Sequence, residues 1–213
     1  MGKIFCVMGK SASGKDTIYR ELLAHKDLSL HRVIPYTTRP IRDGEVDGDN
    51  YFFCTEEQVQ ELQNAGKIIE LRTYETVYGP WKYFTVDDGQ FDQQTGDCLM
   101  IGTLETYAKL RTCFGEERVV PIYIEVEDGE RLIRAISREK QQEKPKYEEM
   151  CRRFLADAAD FSEENLEQNG VNIRFNNLKL DDTIEEIAEF INCCNCRGFC
   201  QCMGRNRNSC QSF

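Results

Sequence analysis

The fold is decided by one stretch near the start of the chain, Ile4-Phe5-Cys6-Val7-Met8-Gly9-Lys10-Ser11-Ala12-Ser13-Gly14-Lys15. It begins with a continuous apolar run, which is typical of a strand buried in a parallel sheet. A loop of glycines and small residues follows, and Ile18, Leu22 and Leu23 then lie on one face of a helical pattern. Strand, loop and helix in this order predict the opening of an α/β fold.

The loop fits the first seven positions of the phosphate-binding motif G-x-x-x-x-G-K-[ST]. Glycines let backbone N–H groups surround a phosphate, and the helix N-terminus that follows adds partial positive charge. The alternative is a plain glycine-rich turn between a strand and a helix. We predict an ATP site whose residues are Gly9, Lys10, Ser11, Ala12, Ser13, Gly14, Lys15, Asp16 and Thr17.

The position after Lys15 departs from this motif, because Asp16 stands where a Ser or Thr hydroxyl normally contacts Mg²⁺. A carboxylate suits Mg²⁺, so Asp16 can hold the metal directly or through water. Asp16 can equally cap a helix start, where a negative charge is favourable. A carboxylate beside the ATP phosphates would be repulsive without a cation between them, and we therefore favour the metal role.

A second motif occupies residues 37–53 and reads TTRPIRDGEVDGDNYFF. Its two arginines, Arg39 and Arg42, can clamp a dianionic phosphate with forked hydrogen bonds. Tyr51 and Tyr78 offer phenolic donors to the same oxygens. The alternative is that the arginines are ordinary surface charges, which fits less well with basic residues set beside glycine turns in an acidic chain.

Together the loop and this second motif resemble the guanylate kinase family, whose signature reads T-T-R-x-x-R-x-G-E-x-x-G-x-x-Y-x-F. The resemblance covers about residues 3–191. It implies an α/β fold with a P-loop NTPase-type parallel sheet flanked by helices, a mixed β insertion that binds the acceptor nucleotide, and a helical lid. It also implies ATP with Mg²⁺ and a nucleoside monophosphate acceptor such as GMP, which would give GDP and ADP.

The resemblance assigns roles to individual residues. Glu70 falls where guanylate kinases have the carboxylate that reads guanine, whose adjacent N1–H and N2–H₂ donors match two carboxylate oxygens. The implied acceptor site is Arg39, Arg42, Glu45, Tyr51, Glu70, Tyr78 and Gly79. The implied residues for phosphoryl transfer are Lys15, Arg134, Arg138 and Arg153, and Asn176 is the implied contact to the adenine of ATP.

Three positions differ from the family pattern. Pro35 and Pro80 stand where the family has serines, and Ile101-Gly102-Thr103 stands where its strand ends in an acidic D-x-D. The family uses those positions for a base contact, a phosphate contact and metal or ribose contacts. These differences bear on guanine specificity and on the rate of turnover.

The predicted lid contains a charged helical pattern. Arg131, Arg134 and Arg138 fall on one helical face, and we expect Leu132, Ile133 and Ile136 to form the opposite, apolar face. Arginines brought over the phosphates by lid closure would neutralise the transferring group and exclude water. The alternative is a solvated charged helix.

The division of the chain follows from these patterns. We predict one core from residues 1–32, 89–127 and 166–192, an acceptor-binding insertion at 33–88, a lid at 128–165 and a cysteine-rich tail at 193–213. A last strand is expected near residues 171–175, followed by a helix at 183–191 with Asp182 and Glu185 at the spacing of a capping box.

The composition limits the classes of binding partner. The net charge of −10 disfavours nucleic acid and anionic membranes, although a local basic pocket for phosphates remains compatible with it. The sequence lacks an apolar run of the length that a membrane span requires, and its start does not read as a signal peptide, so we expect a cytoplasmic protein. The oligomeric state is left open.

The tail crowds six of the eleven cysteines into 21 residues. Thiolates of Cys193, Cys196, Cys200 and Cys202 could bind zinc or an Fe–S centre. Their spacing differs from regular zinc-finger pairs, and the alternative is a tail of reduced thiols without a metal.

Two other functions compete with nucleotide phosphorylation. The Lys15-Asp16 pair also resembles ribose 1,5-bisphosphate phosphokinases, which share the fold and use a sugar-phosphate acceptor. A silent binding module like the guanylate-kinase-like domains of scaffold proteins is the second alternative. Such modules generally have degraded phosphate loops, whereas Lys15 and the arginines of the lid are present here.

Overall fold

A computed structural model of the chain describes residues 2–76 and 79–195. One sheet has five parallel strands, and in sheet order these are β2 (Leu30–Arg32), β7 (Asp97–Ile101), β1 (Ile4–Met8), β8 (Val119–Glu125) and β9 (Arg174–Asn176). Helices cover both faces of this sheet, so the predicted α/β class is confirmed. No helix in the described ranges is long and apolar enough to cross a membrane.

The central strand β1 is buried along its whole length. Because side chains alternate along a strand, Cys6 packs into one core cluster and Phe5 and Val7 into another. The first cluster includes Leu110 of α3 (Leu104–Phe114), and the second includes Ile18 of α1 (Lys15–Ala24). Two-sided burial explains why β1 is a continuous apolar run, and why β7 and β8 are apolar apart from Asp97 and Glu125 at their ends.

A second sheet is built from the residues between β2 and β7. Its strands, in sheet order, are β4 (Phe52–Phe53), β3 (Tyr36–Thr37), β6 (Gly79–Val86) and β5 (Ile68–Thr76). Strands β5 and β6 form an antiparallel hairpin, and Pro80 lies opposite Glu75, beyond the part of β6 that pairs with β3. Helix α2 (Glu56–Asn64) connects β4 to β5 and begins with a capping box formed by Thr55 and Gln58.

Three helices follow β8, namely α4 (Asp128–Lys140), α5 (Tyr147–Asp160) and α6 (Glu163–Gln168). The buried residues of α4 are Arg131, Ala135 and Glu139, whereas the apolar residues opposite the arginines are half-buried or exposed. Arg131 is 1% exposed, whereas Ile133 is 62% exposed. The arginine face of α4 points towards the phosphate loop, where polar partners are available, and part of its apolar face lies in solvent.

The end of the described chain differs from expectation in three ways. Strand β9 is shorter than predicted, since Val171 is buried but lies outside it. Helix α7 (Leu180–Asn195) begins before Asp182, so the predicted capping box at that residue is wrong. The helix also continues past residue 192 and buries Cys194, which the sequence placed in the tail.

Candidate active site

Two glycines allow the loop after β1 to curl tightly. A Cβ on Gly9 would lie 2.6 Å from the carbonyl oxygen of Ile124 in β8. Gly14 has a left-handed φ of 87°, and a Cβ there would lie 2.3 Å from Nδ2 of Asn177. Ala12 is also left-handed, with φ of 63°. The loop thus needs glycine at both motif positions for steric reasons that are independent of any ligand.

The loop is anchored by Asn177, which the sequence prediction missed. Its Nδ2 donates to the Ser13 carbonyl oxygen over 2.8 Å, and its own carbonyl oxygen accepts from Nη2 of Arg134 over 3.2 Å. The predicted Asn176 is instead exposed at the end of β9, where it lines a cavity of about 320 Å³ together with Lys10. An asparagine directly after a strand is not distinctive in the sequence. Only the tertiary structure shows that the Asn177 amide is buried against the Gly-rich loop.

The charged end of the loop lies at the start of α1. Lys15 is its first residue, and Lys15 Nζ lies 3.5 Å from Oδ2 of Asp16. The Thr17 amide donates to the Gly14 carbonyl oxygen and so belongs to the first helical turn. Ser13 Oγ is buried and has no hydrogen-bond partner among the described residues. An unpaired buried hydroxyl and a helix N-terminus both suit an anion such as a phosphate.

The carboxylate of Asp16 is 75% exposed. Mg²⁺ bound to ATP is usually coordinated by one or two carboxylates and by the phosphates, and its other ligands are not all supplied by the protein. An exposed carboxylate next to Lys15 fits that mode of binding. Groups of three or more His, Cys, Asp or Glu that could hold a metal are absent from residues 2–76 and 79–195.

The acceptor-side arginines differ in their surroundings. Arg39 is buried, and its Nη1 and Nη2 donate to the two carboxylate oxygens of Glu45 over 2.7 and 2.5 Å. Its guanidinium lies 5.0 Å from the ring centroid of Tyr51 and 5.3 Å from that of Phe53. Arg42 is exposed, and its backbone amide donates to Glu45. Glu45 therefore organises the loop that carries both arginines.

Hydrogen bonds from Arg39 lower the pKa of Glu45 to about 2. The backbone amide of Arg42 and the charges of both arginines act in the same direction. The same ion pair raises the pKa of Arg39. Both groups are thus charged over the whole physiological pH range, and burial raises the pKa of the neighbouring Tyr51, which stays a neutral donor.

Glu70 is buried in β5 with both carboxylate oxygens in use. One accepts from the Thr85 hydroxyl over 2.9 Å, and the other accepts from Nε of Arg72 over 3.1 Å. Each oxygen has a second lone pair, so the carboxylate can accept further hydrogen bonds. Gly79 begins β6, and Tyr78 lies outside the described residues.

The lid helices form a second cavity of about 330 Å³, here named the lid cavity. Its lining includes Ser11 of the phosphate loop, and its charged side chains are Arg42, Arg138, Glu139, Lys146, Glu149 and Arg153. Within the described ranges, Arg42, Arg138 and Arg153 make no ion pair shorter than 4.0 Å. Three unpaired guanidinium groups from three segments therefore surround one space, and each is available to an anion.

Arg134 is placed differently from Arg138 and Arg153. Its Nε donates to Glu130 over 2.9 Å, and its Nη2 contacts the carbonyl oxygen of Asn177. It thus connects α4 to the residue that anchors the loop. The cysteine site predicted for the tail remains a prediction, because Cys196, Cys200 and Cys202 lie outside the described residues and Cys193 lies in α7.

The fold and the loop define a class, that of α/β proteins with a phosphate-loop motif after the central strand, a second sheet and three further helices beside the loop. A family model described as guanylate kinase matches residues 1–193. The chain therefore belongs to the guanylate kinase family.

Individual relatives match shorter stretches. A guanylate kinase from Clostridioides difficile (strain 630) is 40% identical over 79 residues, which are 37% of this chain and 38% of that relative. One from Streptococcus pyogenes serotype M3 is 38% identical over 73 residues, 34% of this chain and 35% of the relative. The match thus spans little more than a third of these relatives.

The whole fold also has a counterpart among solved structures. The crystal structure of guanylate kinase from Anaplasma phagocytophilum has a TM-score of 0.58 and 23% sequence identity. It covers 90% of this chain and 85% of that one. At this identity the likeness concerns the fold.

Proposed function

We propose that the protein is a nucleoside monophosphate kinase that transfers the γ-phosphoryl group of ATP to GMP. The lid cavity is the observation that carries this proposal. It brings a residue of the phosphate loop, Ser11, together with Arg42 of the acceptor side and with Arg138 and Arg153 of the lid. A transfer between two phosphates needs cations from both binding sites at one place, because its main demands are positioning and neutralisation of charge.

ATP is proposed to bind at the loop and at the start of α1, with Lys15 reaching its β- and γ-phosphates. The unpaired Ser13 hydroxyl and the helix N-terminus support this placement. Mg²⁺ bound with ATP would neutralise phosphate charge during the reaction, and Asp16 is the carboxylate proposed to hold it. Asn176 is proposed to contact adenine, a role supported by its exposure beside the loop.

The acceptor phosphate is proposed to bind Arg42, Arg39, Tyr51 and Tyr78, and Gly79 is the further backbone position proposed for this site. Arg42 is unpaired, whereas Arg39 is oriented by Glu45 and keeps only part of its fork for a ligand. Glu70 is proposed to read guanine through its remaining lone pairs. Removing a partner from a buried carboxylate is costly, so a base without the matching donors would bind more weakly.

In the proposed transfer, an ionised oxygen of the acceptor phosphate attacks the γ-phosphorus in line. A bond forms between that oxygen and phosphorus, and the bond from phosphorus to the β–γ bridging oxygen breaks. The electron pair of the broken bond leaves with ADP. A general base is unnecessary, because the attacking oxygen is already deprotonated at neutral pH. Arg134, Arg138 and Arg153 would stabilise the charge on the transferring group.

The test is to measure ADP formed from ATP and Mg²⁺ with GMP, dGMP, AMP, UMP, CMP or ribose 1,5-bisphosphate as the acceptor. We expect turnover with GMP or dGMP, and its loss in Lys15→Ala. Lys109→Ala, an exposed lysine of α3, is the matched control and should keep wild-type turnover.

The other outcomes distinguish the alternatives. Turnover with ribose 1,5-bisphosphate alone would identify a sugar-phosphate kinase and overturn the assignment of Glu70. ATP binding without turnover on any acceptor would favour a binding module. Undiminished turnover in Lys15→Ala would reject the phosphate loop as the ATP site.

A further inference from the structure

Ser11 of the phosphate loop is held at both of its backbone groups by the lid helices. Its N–H donates to Oδ2 of Asp157 in α5 over 2.7 Å. Its carbonyl oxygen accepts from Nε of Arg131 in α4 over 3.0 Å. An acidic side chain thus occupies a backbone donor of the loop that is proposed to bind phosphate.

Arg131 is buried beside this contact with one nitrogen unused. It is 1% exposed, its Nη1 donates to Asp128 over 2.6 Å, and its guanidinium lies 4.6 Å from the ring centroid of Phe154. Its Nη2 has no hydrogen-bond partner among the described residues, and Oδ2 of Asp157 is 3.6 Å away. A buried guanidinium donor without a hydrogen bond costs free energy, and an anion bound in another state of the protein would supply that hydrogen bond.

The lid cavity is where that other state can form. Ser11 lines this cavity, and so does Phe154, whose ring lies against the guanidinium of Arg131. Four of its six charged side chains are basic, whereas the other cavity beside Arg131 is also lined by Glu125, Glu127 and Asp128. An anion in the lid cavity lies beside Ser11, and displacement of Asp157 would give it both the Ser11 N–H and Nη2 of Arg131.

The two groups that hold Ser11 should respond to a triphosphate in opposite ways. The Asp157 carboxylate competes with a phosphate oxygen for the same N–H and repels its charge. The Arg131 guanidinium attracts that oxygen and can donate to it. A triphosphate that displaces Asp157 therefore gains the N–H and the arginine together.

We propose that Arg131 is a further phosphate-binding residue for ATP, and that Asp157 occupies the phosphate position in the empty protein. ATP binding then exchanges one anion for another and releases α5 from the loop. This inference rests on the proposed binding of ATP to the loop, and it adds a residue and an exchange that the family resemblance does not assign.

The experiment measures the Kd of Mg·ATP by titration calorimetry, without an acceptor, for the wild type and variants. Asp157→Asn should bind ATP about threefold to tenfold more tightly, because a competing charge is removed. Arg131→Met should bind it about tenfold or more weakly, because a charged hydrogen bond is lost. A purely structural ion pair would instead make both variants change binding in the same direction.

Two controls remove the same charges from solvent-exposed positions of α5. These are Asp160→Asn and Arg152→Met, and both should leave the Kd close to the wild-type value. An Asp157→Asn variant that binds ATP no more tightly than Asp160→Asn overturns the inference. If Arg131→Met fails to fold, the comparison of these two aspartate variants still decides. Failure of the wild type to bind Mg·ATP would instead overturn the proposed ATP site, and the inference with it.

Discussion

Glu45 accepts three hydrogen bonds, two from Arg39 and one from the Arg42 amide. They hold its pKa at about 2, below the ordinary value of 4.5 that it regains on unfolding. A carboxylate whose folded pKa is depressed adds stability above its unfolded pKa. That contribution disappears as pH falls through the folded value. The relevant window therefore runs from about pH 4.5 down to about pH 2.

We expect Glu45→Gln to lose about 2 kcal/mol of unfolding free energy at pH 7, because the buried guanidinium of Arg39 loses its charged partner. The difference between wild type and variant should shrink as pH falls from 4.5 towards 2. Urea denaturation at a series of pH values measures it. Glu75→Gln, on the exposed part of β5, is the control, and an equal loss there would contradict the prediction.

Gly14 combines two constraints, a left-handed φ of 87° and a close approach to Asn177. We expect Gly14→Ala to destabilise the protein by about 2–4 kcal/mol, from backbone strain together with the clash. Gly89→Ala separates the two effects, since Gly89 has φ of 101° with open space around it. It should cost about 1 kcal/mol. Equal losses in thermal unfolding would show that the contact with Asn177 carries little weight.

At the scale of elements, α5 offers a natural comparison between neighbouring arginines. Arg153 lines the lid cavity, whereas Arg152 is held by Glu149 over 2.7 Å on the exposed surface. We expect Arg153→Ala to lower kcat about 100-fold, as the loss of one charged donor to a transition state does. Arg152→Ala should stay within about threefold of wild type. Steady-state kinetics with ATP and GMP provide the measurement, and similar losses in both variants would remove Arg153 from the transfer step.

Sequence predicts best those elements whose faces all have the same environment, such as strands buried on both faces. The strand predicted from the apolar run that starts at Ile4 and ends at Met8 coincides with β1, because a strand covered on both faces is apolar throughout. Helix α4 is the opposite case. Its periodicity separates arginines from apolar residues correctly, yet periodicity cannot say which face meets the protein. Arg131 lies inside because Ser11, Asp128 and Asp157 supply polar partners there.

The candidate site likewise has features that the sequence predicts and features that it does not. Short motifs identify the loop and the acceptor arginines, since their spacing is local. Asn177 and Asp157 act on the loop across 164 and 146 residues of sequence, and no local spacing reports such contacts. The sequence also reads Arg39 and Arg42 as an equivalent pair. In the fold, Glu45 binds one of them and leaves the other unpaired.

At the scale of the whole molecule, an acidic protein concentrates cations in one place. The net charge is −10, yet four of the six charged side chains around the lid cavity are basic. Charge placed in this way favours small anions that enter the cavity over large polyanions that meet the outer surface.

We expect GMP at about 100 times its Kd to raise the unfolding free energy by about 2.7 kcal/mol, because it binds the folded state alone. AMP at the same concentration should raise the unfolding free energy less, since adenine lacks the N1–H and N2–H₂ donors from which Glu70 would accept hydrogen bonds. Urea denaturation in the presence of each nucleotide provides the comparison. Equal stabilisation by both would show that the phosphate, and not the base, supplies the binding energy.

The hydrogen bond from Asn177 to Ser13 also has a consequence for biosynthesis. It joins residues 164 positions apart, and the strand that presents Asn177 packs at the edge of the sheet after β8. A chain made from its N-terminus thus completes the loop sequence early but lacks the anchor until residue 177 has also left the ribosome. Before that point, the loop lacks the amide that fixes Ser13 in the folded protein.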